Sequence, residues 1–166
     1  MSQSRLPLVE LLTPATPELL GATRAIFRDY ANSLGIDLCF QDFDAELARL
    51  PGEYAPPQGA LLLAQVEGKV AGCGALRALP EVDHANACEM KRLYVRPAFR
   101  GIGLGRLLAQ ALLGRGLQAG YSAVLLDTLD NMETARSLYT SLGFEETAPY
   151  YFNPIPGVHY LKANLG

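Results

Sequence analysis

Leu93-Tyr94-Val95-Arg96-Pro97-Ala98-Phe99-Arg100-Gly101-Ile102-Gly103-Leu104-Gly105-Arg106 is the stretch on which the fold turns. An apolar run ends in a proline, a short basic link follows, and three alternating glycines lead into residues at helical spacing. Glycine takes backbone angles that other residues avoid and lets the main chain approach a ligand closely. The first amides of the following helix have no intrahelical partner. With the helix dipole and the flanking Arg100 and Arg106, they make a natural seat for a pyrophosphate. Two common phosphate loops are excluded. The dinucleotide fingerprint needs a glycine where Arg106 stands, and the nucleoside-triphosphate loop needs a lysine and a hydroxyl where Arg106 and Leu107 stand.

The residues around the loop extend the pattern. Leu104, Leu107, Leu108, Ala111 and Leu112 form one helical stripe, with Arg106, Gln110 and Arg115 opposite. Gly114 and Gly116 weaken the last turns, and Gly120 is placed to end the helix. Ala123-Val124-Leu125-Leu126 is a short apolar run suited to a strand buried on both faces. Strand, helix, strand makes a βαβ unit, so its two strands should be parallel neighbours. Downstream, Ala135, Leu138, Tyr139 and Leu142 share a helical face. Gly143 follows as a left-handed cap, and Phe144 opens another strand.

The loop Arg100-x-x-Gly103-x-Gly105, followed by a helix reading Ala-x-x-Leu-Tyr-x-x-x-Gly-Phe, resembles the two signatures of the GNAT superfamily of N-acetyltransferases. The resemblance implies a single acyl-CoA N-acyltransferase domain over residues 1–166. Its fold would be α/β, with a mixed, mostly antiparallel sheet splayed at the central parallel strand pair and flanked by helices. It implies acetyl-CoA as acyl donor and no metal. The backbones of Leu93 and Val95 would meet the pantetheine arm. The amides of Arg100, Gly101, Gly103, Leu104, Gly105 and Arg106 would hold the pyrophosphate. Tyr139 would act as general acid to the leaving thiolate. One departure stands out: the family often has an asparagine seven residues before this tyrosine, and here that residue is Met132. Asn131 lies one residue earlier, where it or Asp130 could cap the helix.

The implied chemistry sets requirements of its own. A primary amine has a pKa near ~10.4, so it is mostly protonated at neutral pH and must lose a proton before attack. The tetrahedral oxyanion needs hydrogen-bond donors. Glu89, on the expected central strand, is the candidate base or water-orienting residue; strand alternation puts it on the same face as Leu93 unless a bulge intervenes. The competing reading is a surface carboxylate paired with Lys91 or with Arg77 on an adjacent strand. Asp127, ending the next strand, is a weaker candidate and reads better as a loop cap. For the acceptor, the resemblance implies a pocket formed by the early helices, their following loop and the last hairpin, which here carry Phe27, Tyr30, Phe40, Tyr54, Tyr150, Tyr151 and Phe152. Such a slot suits an apolar or cationic amine, against the plainer reading of core and rim aromatics. His159 reads as a buried or edge residue and His84 as an exposed one.

Composition narrows the classes. The chain has 166 residues, 49% hydrophobic and 19% charged, as a globular domain should. A net charge of −3 argues against a nucleic-acid partner. Cys39, Cys73 and Cys88 lack metal-ligand spacing and fit a reduced, cytoplasmic setting. Neither a signal segment nor a membrane-length apolar run is present. The front half reads as a strand over Leu6–Leu12, a helix begun by Thr16-Pro17-Glu18 and closed by Gly35, and a shorter helix over Asp42–Leu50. A hairpin of Ala60–Val66 and Val70–Leu79, a polar loop at Pro80–Ala85 and the central strand Ala87–Val95 follow. An acetyl-transferring enzyme for a small or peptide amine leads, with direct attack in a ternary complex, since no cysteine is placed for a covalent intermediate. A homodimer is left open. The alternatives are a non-catalytic acyl-CoA sensor and a nucleotide-binding regulator.

Overall fold

The computed structural model describes residues 7–35, 42–79, 86–129 and 133–165. The chain runs β1 (Val9–Leu12), α1 (Pro17–Leu34), α2 (Phe43–Arg49), β2 (Ala60–Val66), β3 (Lys69–Leu79), β4 (Ala87–Val95), α3 (Leu104–Gln118), β5 (Ala123–Leu129), α4 (Glu133–Ser141), β6 (Glu145–Glu146) and β7 (Val158–Asn164). The element order is the one expected from sequence, and β4 has the expected bounds. The first strand is shorter than expected: β1 starts at Val9, not Leu6. The expectations at Cys39, Phe40, Pro80–Ala85, His84 and Asp130–Met132 lie outside the described residues.

Local signals act where they were read. The Thr16 hydroxyl caps α1 by accepting the Leu19 amide at 3.2 Å, Pro17 takes the first helical position, and Gly35 closes the helix with φ 65°. Gly143 follows α4 at φ 95°.

The seven strands form one sheet in the order β1-β2-β3-β4-β5-β7-β6. Among the described residues β4 and β5 are the parallel pair, as the βαβ reading required, and the other neighbours are antiparallel. The parallel ladder is short. Ala87, Cys88 and Glu89 pair with Ala123, Val124 and Leu125, and there the pairing stops although both strands continue. The sheet therefore opens at its centre, between Met90–Val95 and Leu126–Leu129.

Helices cover both faces. α3 and α4 pack on one, against Leu62, Cys88, Val124 and Leu126. α1 and α2 pack on the other, where Ile26, Phe27 and Leu47 meet Leu61, Leu63 and Ala75. α3 lies close to β3: a Cβ on Gly74 would stand 2.8 Å from Leu112 Cδ1, so this strand position tolerates only glycine without repacking.

One feature of β4 reverses a sequence expectation. Tyr94 pairs with Cys73 and Lys91 with Ala75, so β4 carries one residue more than β3 over that interval, and Arg92 has φ 61°. This is a β-bulge. Below it Cys88 and Met90 face α3; above it Leu93 and Val95 do. Glu89 therefore does not share a face with Leu93. It points to the α2 side, where Tyr94 and Arg92 also lie. Among the described residues no helix is long and apolar enough to cross a membrane.

Candidate active site

The glycine loop follows β4, the strand that parts from β5 beyond Glu89. Gly101 and Gly103 sit at φ 91° and 84°, left-handed angles, and a Cβ on either would meet nothing within 4 Å. Backbone angle, not crowding, therefore demands glycine here. α3 starts at Leu104 with no side-chain cap, and its first internal bond is Leu107 N–H to Gly103 O at 3.1 Å. The amides of Leu104, Gly105 and Arg106 are thus left to an outside acceptor. The Arg100 amide differs, since it donates to Pro97 O at 3.3 Å. Its side chain instead ties the loop to the strand, with Nε donating to Val95 O at 2.9 Å and the guanidinium over the Tyr94 ring at 5.8 Å. Arg106 Nη2 donates to Ser141 Oγ at 2.7 Å, linking α3 to α4.

The edge of β4 beyond Glu89 borders the opening. Arg96 donates its amide to Ala71 O on β3 at 2.8 Å. Alternation in an antiparallel pair then turns the Val95 amide the other way, into the gap. Leu93 lines the gap with its side chain.

Tyr139, from α4, reaches the floor of this cleft, with Leu93, Leu126 and Asp127 beside it. Its ring is 7% exposed and packs edge-on to Phe144, 5.6 Å between centroids. Burial pushes the phenol well above its ordinary value, and the charges of Tyr30 and Asp127 push the same way. The hydroxyl thus remains protonated, as a proton donor must. Tyr30, from α1, lines the same cleft and stands edge-on to Tyr94 at 5.9 Å. Burial of its hydroxyl raises that phenol to about 12, against the lowering effect of Arg92.

Glu89 lies elsewhere. It borders a neighbouring charged chamber with Tyr54 and Arg77, and Lys91 is common to chamber and cleft. It is 1% exposed. Arg77 Nε donates to its Oε1 at 2.8 Å, Lys91 Nζ stands 4.0 Å away, and the Tyr150 hydroxyl donates to Oε2 at 2.5 Å. The expected pairing with Arg77 is present, but the carboxylate is buried and not on the surface, because Arg77 and Tyr150 close over it. Arg92 is held bidentately by Glu46 on α2, at 3.0 and 2.8 Å, over the Phe43 ring.

The expected aromatic residues are divided. Tyr30 is in the cleft. Tyr54 is 2% exposed, edge-on to Phe27 at 6.3 Å, and serves the core and the chamber wall. Tyr150 holds Glu89. Phe152 is 84% exposed and lines neither space. His159 sits on β7 with Nδ1 3.2 Å from Glu146, away from the cleft. Asp127 lines the cleft and ties down the loop before β7, accepting hydrogen bonds on Oδ2 from the Tyr151 hydroxyl and from Asn153 Nδ2, the latter at 2.9 Å. Asn153 was not legible beforehand, because its partner lies 26 residues away and nothing local marks it.

Comparison with known proteins agrees with this geometry. The sequence profile of the acetyltransferase (GNAT) family matches residues 22–144. An uncharacterised N-acetyltransferase of Schizosaccharomyces pombe is 42% identical over 150 residues, covering 90% of each chain. The crystal structure of an acetyltransferase from Streptococcus agalactiae superposes with a TM-score of 0.75 at 19% identity, covering 95% of this chain and 98% of that one. A putative acetyltransferase from Salmonella typhimurium, solved with its cofactor acetyl-CoA, superposes with a TM-score of 0.72 at 21% identity, covering 95% and 94%. Signatures, splayed sheet and relatives converge: the chain belongs to the GNAT family and is an acetyltransferase.

Proposed function

We propose that this protein transfers an acetyl group from acetyl-CoA to a primary amine by direct attack within a ternary complex. One observation carries the reading: β4 parts from β5 after Glu89, the cleft beside the parted strands holds Leu93 and Tyr139, and β4 runs on into the loop whose following helix starts with no side-chain cap. The diphosphate of the donor fits the amides of Gly101 to Arg106, where negative charge meets unsatisfied N–H groups and the positive end of α3. The main chain at Leu93 and Val95 offers hydrogen bonds to the amides of the pantetheine arm, which then lies in the gap like a strand. The thioester reaches the cleft floor.

There the amine attacks the thioester carbonyl, the C–N bond forms, and the oxyanion is met by main-chain donors near the bulge, where β4 is not fully paired. Collapse breaks the C–S bond, and Tyr139 gives its phenolic proton to the sulfur. The amine proton leaves toward Glu89 through water in the adjoining chamber. The 1%-exposed carboxylate is held in place by Arg77 and Tyr150.

The assay is release of free CoA thiol from acetyl-CoA, measured with and without a panel of small primary amines and peptide amines. Amine-dependent release, slowed by Tyr139→Phe, is the expected result. Tight acetyl-CoA binding without turnover on any amine would make the protein a sensor instead.

A further inference from the structure

Asp127 is the carboxylate that shares the cleft with Tyr139, and its surroundings give it a task. Its Oδ2 accepts from two donors on the segment before β7, the Tyr151 hydroxyl and Asn153 Nδ2. Asn153 also donates to the Tyr151 hydroxyl at 3.1 Å, and its own Oδ1 accepts the Ile155 amide at 3.0 Å, so the clamp is itself held. Tyr160 adds a bond to Tyr151 O at 3.0 Å. Among the described residues Oδ1 has no hydrogen-bond partner.

Both donors are neutral. They fix the orientation of the carboxylate without cancelling its charge, whereas Glu89 is met by the Arg77 guanidinium. Two cations also border the cleft: Arg92 is paired bidentately with Glu46, and Lys91 Nζ lies 4.0 Å from Glu89. The half-buried, oriented anion beside them has no ion-pair partner among the described residues, and a partly desolvated charge of this kind is relieved by a ligand that brings the opposite one. Leu34, Leu129 and Ile155 add apolar wall to the same space.

From this arrangement we infer that Asp127 is the positioning residue for the acceptor, receiving its ammonium group on Oδ1, and that the acceptor is a primary ammonium ion on an apolar body. The inference rests on the acetyl-transfer reading and gives its acceptor a class. The hydrocarbon part lies against Leu34 and Ile155, and the nitrogen is held at the floor near the Tyr139 hydroxyl.

The test needs no turnover. Calorimetric titration of the CoA-saturated protein compares phenethylammonium chloride with phenethyl alcohol, which keeps the ring and exchanges the charged nitrogen for a neutral oxygen. A charged hydrogen bond on Oδ1 predicts an ammonium preference of about tenfold or more. Asp127→Asn removes that preference while its affinity for CoA, which also reports an intact fold, stays as in the wild type. Tyr151→Phe, which loosens the clamp and keeps the charge, lowers the preference by about threefold. Equal affinity for the two ligands, no measurable ammonium binding, or a preference that survives Asp127→Asn each overturns the inference. Should the wild type fail to bind CoA, the donor reading fails instead, and the same titration without CoA still reads the ammonium preference.

Discussion

The two ends of the cleft are built by opposite means. At the proposed donor end the groups on offer are main-chain amides, set by two left-handed glycines and the start of α3. At the proposed acceptor end they are side chains from distant parts of the chain: Asp127 from β5, Tyr151 and Asn153 from the approach to β7, and Tyr30 from α1. A diphosphate is the same in every donor molecule, so a fixed backbone cradle can serve a whole family. An acceptor differs from enzyme to enzyme, and side chains on separate elements can change without disturbing the cradle. Donor-end function should therefore respond to backbone changes, and acceptor-end function to side-chain changes.

The largest expected effect is on stability. Arg92 and Glu46, 2% and 15% exposed in their side chains, are joined bidentately across β4 and α2. Glu46→Ala deprives the buried guanidinium of that carboxylate and should cost about 3–5 kcal/mol, read as a lower urea midpoint. Arg106→Ala at the donor end loses one exposed bond to Ser141 and should cost about 1 kcal/mol or less. Similar losses for the two would mean that the acceptor end does not depend on its side-chain pairings. Next comes Tyr139→Phe, which keeps the edge contact with Phe144 and removes only the hydroxyl. A fall in kcat of about 100-fold with both KM values nearly unchanged is expected. Because burial raises this phenol above its ordinary value, it stays protonated through neutral and mildly alkaline pH. The wild-type kcat profile should then show no loss from this group below about pH 10.

The same contrast explains what the sequence could show. The geometry of the glycine loop is legible because its information is local. Glycines at 101 and 103, the strand before them and the helix after them lie within one short stretch, and left-handed angles leave glycine as their mark. The helices were legible for the same reason: Thr16, Gly35 and Gly143 punctuate the chain where they begin or end. The bulge was not. Arg92 takes φ 61° with no glycine or proline to announce it, because Glu46 on α2 and the Phe43 ring hold it there. That single residue moved Glu89 to the opposite face from Leu93. Nor could sequence divide the aromatics. Tyr54 and Tyr30 look alike in composition, yet one faces the core and the other the cleft, and adjacent Tyr150 and Tyr151 bind different carboxylates. Tertiary packing decides such cases, and no short-range pattern encodes it.

Two smaller effects sharpen the contrast. Gly103→Ala places a Cβ at φ 84°, where an L-residue pays about 1–2 kcal/mol. Space is available, so the strain is relieved only by turning the peptide and its amide away from the donor. The KM for acetyl-CoA should rise about tenfold while that for the amine holds. Tyr150→Phe is the counterpart on the acceptor side. Its hydroxyl donates to Glu89 Oε2 at 2.5 Å, and burial together with the Glu89 charge keeps that phenol protonated well past its ordinary range. Removing the hydroxyl frees one carboxylate oxygen while Arg77 still holds the other at 2.8 Å. The carboxylate keeps its charge and loses part of its orientation. The expected change is therefore modest, a fall of about threefold in kcat/KM for the amine with the acetyl-CoA KM unmoved. A change in the acetyl-CoA KM instead would show that the two ends of the cleft are not independent, because no backbone of the donor cradle is touched by this substitution.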